Sequence, residues 1–178
     1  VKRKKIYLYG KTKTEYTDIT LTAPKVEMDQ ETQVVTAFNQ KDSTGKVTEV
    51  ARFKQAENEF TSDTIRYNFK TQVGLTKNTF SDQGEILVLG ETIKKVNENT
   101  SFIKKARFTT CKLDDPHFAF VTPKMKVINQ KLAISGPAHP EFEGVPVPIY
   151  LPFGFYPLSQ GRHSGMMRPN FMTDEVRG

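Results

Sequence analysis

Cys111 is the only cysteine in this chain, and it sits in the stretch RFTTCKLDDPHFAF, six residues before His117. A thiol close to an imidazole could act as a nucleophile with its base, which requires a third group to orient the ring. Asp114, Asp115 and His117 could instead be metal ligands. Little else in the chain serves either chemistry. The two other histidines, His139 and His163, lie beside proline or glycine breaks. No G-x-S-x-G, P-loop, dinucleotide fingerprint or H-E-x-x-H occurs. An acidic pair followed by Pro116 reads as a turn between two strands. We therefore expect no catalytic residue, no metal, no cofactor and no enzyme. Cys111 is either a small buried hydrophobe or half of a disulfide whose partner lies elsewhere.

A second kind of chemistry needs no reactive group. Thirteen Phe and six Tyr, with no Trp, could stack on bases or line an apolar groove for acyl chains. Their positions decide between these. DITLTA puts Ile19 and Leu21 on one face and Thr20 and Thr22 on the other. TIRYNFKT groups Ile65, Tyr67 and Phe69 against Arg66, Asn68 and Lys70. HFAFVT pairs Phe118 with Phe120. Period-two alternation of this kind, broken by DQET, DSTG, SDQG and NENT, marks an all-β chain. We expect about eleven mostly antiparallel strands in a sandwich, jellyroll or barrel. If its two sheets splay, Ile19, Leu21, Val35, Ala37, Phe53, Ile65, Tyr67, Phe69, Ile86, Val88, Phe118 and Phe120 should line the gap, with Lys124 and Lys126 near its rim. KKIYLYGKTK, with Ile6, Tyr7, Leu8 and Tyr9, alternates at the chain end and is the candidate free edge.

The 178 residues suffice for one medium domain, and no apolar run nears the length of a membrane-spanning helix. The net charge is +6, but Lys2, Arg3, Lys4 and Lys5 supply four of those charges and leave +2 for the rest. That distribution argues for a solvated tail rather than a nucleic-acid site, and nucleic acid is not expected as a partner. From residue 136 prolines crowd the chain through GVPVPIYLPFGFYPL, so this stretch is an extended edge and no central strand. We place a domain at 1–158 and a linker, or the start of a further element, at 159–178.

ARFTTCKLDDPHFAFVTPKMKVINQKLAISGPAHPEFEGVPVPIYLPFGFYPL resembles the periplasmic domain of the LptD family of lipopolysaccharide-assembly proteins. GRHSGMMRPNF is similar to the segment leading into that family's outer-membrane barrel. DITLTAPKVEMDQETQVVTAFN and DTIRYNFKTQVGLT resemble the OstA-type repeats of LptA, LptC and LptD. The phenylalanine-rich LPFGFYPL is closest to Bacteroidetes-type members. The resemblance implies an open β-jellyroll in a Gram-negative periplasm, fused to a C-terminal barrel, with lipopolysaccharide moving along a hydrophobic groove. Implied partners are an LptA-like bridge protein at the free edge, the protein's own barrel and an LptE-like plug lipoprotein. It also implies a disulfide from Cys111 to a cysteine beyond Gly178. A freestanding LptA-like shuttle and a single-stranded nucleic-acid binder are the rival functions.

Overall fold

The computed structural model describes residues 4–55, 58–82, 86–97, 99–113, 116–129 and 131–157. The turn acids Asp114 and Asp115, His163, Lys2, Arg3 and the 159–178 segment lie outside them. The described residues form strands and no helix, in sixteen strands rather than about eleven. The surplus comes from short pieces. A polar hairpin, β4 (Gln40–Lys41) with β5 (Val47–Glu49), interrupts what reads as one connection. The proline-rich stretch adds β14 (His139–Phe142), between β12 and β15, and β15 (Val145–Pro146) and β16 (Gly154–Pro157) at sheet edges, where a missing amide hydrogen costs no ladder bond.

Six long strands organise the rest: β1 (Lys5–Tyr16), β2 (Ile19–Asp29), β9 (Val73–Asp82), β10 (Leu87–Asn97), β11 (Thr100–Thr109) and β12 (Phe118–Ile128). Each is creased near its middle. On β2 the crease is Pro24, and β1 sets two residues, Gly10 and Lys11, against it. Gly10 takes φ of 91°, the left-handed conformation that suits a glycine bulge. Asn78 of β9 and Lys105 of β11 are also left-handed, at 47° and 49°. By register Asn78 faces Glu91 of β10, Glu91 faces Lys105, and Lys105 faces Pro123 of β12. The crease therefore runs across four adjacent strands in a straight line.

Crossing it shifts the alternation by one residue. Buried positions sit three apart rather than two: Ala23 and Val26, Thr76 and Thr79, Ile103 and Ala106, Thr122 and Met125. Both halves of each strand thus present apolar side chains to the same concave side. The result is two sheets folded against each other along the crease, sharing their long strands. Two of those strands also change partner there. β2 pairs with β6 (Ala51–Gln55) through residues 19–22 and with β3 (Val34–Phe38) through 25–29. β9 pairs with β8 (Thr64–Asn68) before Asn78 and with β7 (Asn58–Ser62) after it. The strands β2, β3, β8, β9, β7 and β6 close into a ring. β12 also pairs with β14 and with β13 (Leu132–Ser135), but these two follow each other directly in the chain, with Ala138 bridging Leu151 between them, and no pairing closes that end into a ring among the described residues. The fold is thus a jellyroll whose strands close into a ring near its N-terminal end and, among the described residues, form no such ring at its C-terminal end.

Asp63 holds the corner where the chain passes from β7 to β8. Its two carboxylate oxygens accept side-chain amides from Asn39 and Asn78, each at 2.8 Å. The apex admits only small residues: Thr79, Gly90, Ala106 and Thr122 face one another in register, all buried. A Cβ on Gly90 would come 2.7 Å from Ile103 Cγ2 and 3.0 Å from Ile93 Cγ1. Neither atom is the end of a flexible chain. Overpacking of this kind costs about 1–3 kcal/mol, against about 0.4–1 kcal/mol gained from the stiffer unfolded chain. Gly90→Ala should lower stability by about 1–2 kcal/mol, read as a fall in the urea midpoint at unchanged slope.

Candidate functional site

Two apolar clusters fill the fold. One, inside the ring, gathers Ile19, Leu21, Val26, Val35, Ala37, Phe53, Ile65 and Tyr67. The other, between the halves of the C-terminal strands, gathers Val88, Ile103, Ala106, Phe108, Met125 and Ala133. A cavity of about 160 Å³ lies where they meet. Phe53, Phe60, Ile65 and Tyr67 line it from the ring, and Val88, Ile93, Ile103 and Val127 from the C-terminal strands. Phe53 stacks on Phe60 with ring centroids 4.9 Å apart and leans on Tyr67 at 6.0 Å. Both sheets contribute, so the cavity is a stretch of the space between them.

Its lining carries polar groups as well. Thr76 and Thr79 line it near the crease, where Thr79 accepts the Ser62 hydroxyl at 2.8 Å. Gln55, Lys95, Asn99 and Ser101 also line it, and none of the four is buried. Among the described residues Lys95 is the one ammonium whose strand position points it into this lining, beside apolar Ile93 and Ile103. An apolar cavity with a cationic rim suits an amphiphile whose tails are hydrocarbon and whose head is anionic.

Of the twelve residues expected to line a groove, Phe53, Ile65, Tyr67 and Val88 do line this cavity. Ile19, Leu21, Val35 and Ala37 are buried inside the ring. Phe69 packs on that cluster's edge, in contact with Tyr67 and Tyr16. Ile86 and Phe120 pack against the second cluster, Phe120 stacked on Phe108, and Phe118 is half-buried. Lys124 and Lys126 lie on the outer face, across from Lys104 and Phe102. Phe60, Ile93, Ile103 and Val127 were not anticipated. For Ile103 and Val127 the signal is the three-residue spacing around Lys105 and Pro123, which short windows of strict alternation pass over.

Ile6, Tyr7, Leu8 and Tyr9 lie on β1, all exposed. β1 pairs with β2 on one side, and no strand occupies its other side among the described residues. An ion pair between Lys5 and Glu27 fastens its start, and the Lys25 ammonium lies 5.6 Å from the Tyr9 ring centroid.

Cys111 follows β11 as a free, half-buried thiol. The structure brings it to His117, Sγ to Nδ1 at 3.8 Å. The backbone amides of Leu113 and His117, then the His117 ring, hold the thiol below its usual range, outweighing desolvation. Among the described residues no carboxylate forms an ion pair with His117, so the pair has no orienting third group there. Alkylation of Cys111 by iodoacetamide should reach half its maximal rate below the ordinary thiol pKa. His117→Ala should move that midpoint upward, because the backbone donors alone remain.

A family model described as "LptD protein" matches residues 133–178. The "LPS-assembly protein LptD" of Acinetobacter baylyi (strain ATCC 33305 / BD413 / ADP1) is 29% identical over 112 residues, 61% of this chain. The chain spans 14% of the length of that relative. These two matches bear out the resemblance to LptD drawn from the sequence, while the Bacteroidetes flavour finds no support in them.

Proposed function

We propose, from that kinship, that the chain is the periplasmic domain of an LptD-like outer-membrane protein and carries lipopolysaccharide acyl chains between its two sheets. The carrying observation is the cavity, lined by both sheets and by apolar residues of both clusters. Closure of the ring at one end, and no closing pairing at the other among the described residues, give the interior a direction, from the ring toward the C-terminal strands. In this account the transport is not enzymatic, and hydrocarbon is retained by burial alone, worth about 25 cal/mol per Å² of apolar surface. Lys95 at the rim meets a lipid phosphate. Exposed β1 serves as the edge for strand addition by an LptA-like bridge protein. The barrel and an LptE-like lipoprotein would act beyond residue 157. The match over 133–178 favours this role over a freestanding shuttle.

Val127 and Leu89 separate the inside from the outside. Val127 is half-buried and lines the cavity, whereas Leu89 is 37% exposed on the outer face. Val127→Glu should weaken lipopolysaccharide binding to the purified chain at least about tenfold, since a carboxylate would face hydrocarbon. Leu89→Glu should leave binding unchanged. Equal loss from both, or none from Val127→Glu, rejects the role.

A further inference from the structure

The two outer faces differ in charge. On the sheet holding the 80–82, 87–90 and 106–109 halves of the long strands, most bases are matched by acids: Lys13 pairs with Glu15, Arg52 with Glu59 at 2.7 Å and Arg107 with Glu141 at 3.5 Å, while Lys54 lies across from Glu59 with no ion pair among the described residues. The other sheet carries Arg66, Lys77, Lys94, Lys104, Lys124 and Lys126 on its outer positions over β8 to β12. Among the described residues only Lys104 of these six has an ion pair, 3.7 Å to Glu91. Glu91, which also pairs with Lys105, and Asp63, occupied by Asn39 and Asn78, border the face at the crease.

Apolar side chains alternate with these bases in a single cross-strand row. Register sets Arg66 against Leu75, Leu75 against Lys94, Lys94 against Phe102 and Phe102 against Lys126. The row continues to Ile134 and ends at Phe155 on the sheet edge. Phe102 is 46% and Phe155 61% exposed, and Phe153, 63% exposed, packs edge-on against Phe155. Residues 144–157, which supply that edge, contain no charged side chain.

We infer that this face docks on the surface of an anionic lipid bilayer. Unpaired ammonium and guanidinium groups match headgroup phosphates, and each basic residue near such a surface strengthens binding about fivefold. The interleaved Leu, Phe and Ile reach the headgroup–acyl boundary, and the uncharged aromatic edge enters it. A polynucleotide would use the same charges but gain little from Leu75 and Ile134. Arg66 also borders the cavity, but Lys77, Lys94, Lys104, Lys124 and Lys126 lie on the face away from it, so the docking stands or falls separately from the lipid path.

The test is sedimentation of the intact 178-residue chain with vesicles at physiological salt. Vesicles of phosphatidylcholine and phosphatidylglycerol in equal parts should bind it, and pure phosphatidylcholine vesicles should not. Lys94→Glu with Lys126→Glu should weaken binding about 25-fold or more. Lys13→Glu with Lys54→Glu changes net charge equally on the opposite face and should have little effect, because screening confines the interaction to about 8 Å. Phe102→Ser with Phe155→Ser, both at exposed positions, should also weaken it. Failure to bind anionic vesicles, equal binding to neutral ones, or equal loss from the opposite-face pair would overturn the inference. So would tighter binding to single-stranded DNA that the two serine changes leave intact.

Discussion

Ile103→Asp is expected to destabilise the protein by about 4 kcal/mol or more. Ile103 is 6% exposed and sits where the second cluster meets the cavity, across from Ile93 and Met125. The change removes buried hydrocarbon and leaves an acid without a partner, two of the mechanisms behind large losses. Burial favours the neutral acid and raises its pKa, so the loss should shrink as pH falls below that value and grow as pH rises through it. Urea unfolding at acid and neutral pH measures both. A loss under 1 kcal/mol at neutral pH would mean that the site is wet.

Phe53→Ala should cost about 3–5 kcal/mol. Phe53 is 6% exposed, stacks on Phe60 and touches Tyr67, so its ring ties β6, β7 and β8 together across the closed ring of strands. Truncation would enlarge the cavity at the same point. Added lipopolysaccharide should therefore recover part of the loss in the variant, since a ligand bound only by the folded state stabilises it. Thermal unfolding with and without lipid reads both effects. A variant as stable as the parent would show that the ring of strands does not depend on this contact.

The alternation of Ile19, Leu21, Ile65 and Tyr67 is visible in the sequence because each run stays on one side of the crease. So is the demotion of the proline-rich stretch to edges. The crease itself escapes such reading. Pro24 and Pro123 look like breaks, Asn78 and Lys105 like ordinary strand residues, and their collinearity exists only through register. Hence Ile93, Ile103 and Val127, which follow or precede the one-residue shift, were not grouped with Val88. The same holds outside: Arg66, Lys94 and Lys126 are far apart in sequence, and only cross-strand pairing makes them neighbours. Which half of a strand belongs to which sheet is a matter of partner choice, and period two carries no information about that.

Adjacent residues on opposite faces of one strand give the most direct measurement. Val88 lines the cavity and is 6% exposed, whereas Leu89 next to it is 37% exposed on the outer face whose charges are balanced. A photocrosslinking amino acid at each position in the full-length protein in cells, followed by detection of lipopolysaccharide adducts, compares inside with outside at nearly constant chemistry. Capture from position 88 and not from position 89 is the result that a lipid path between the sheets predicts. Capture from position 89 with none from position 88 would mean that the cavity is closed core and that lipid does not pass through this domain.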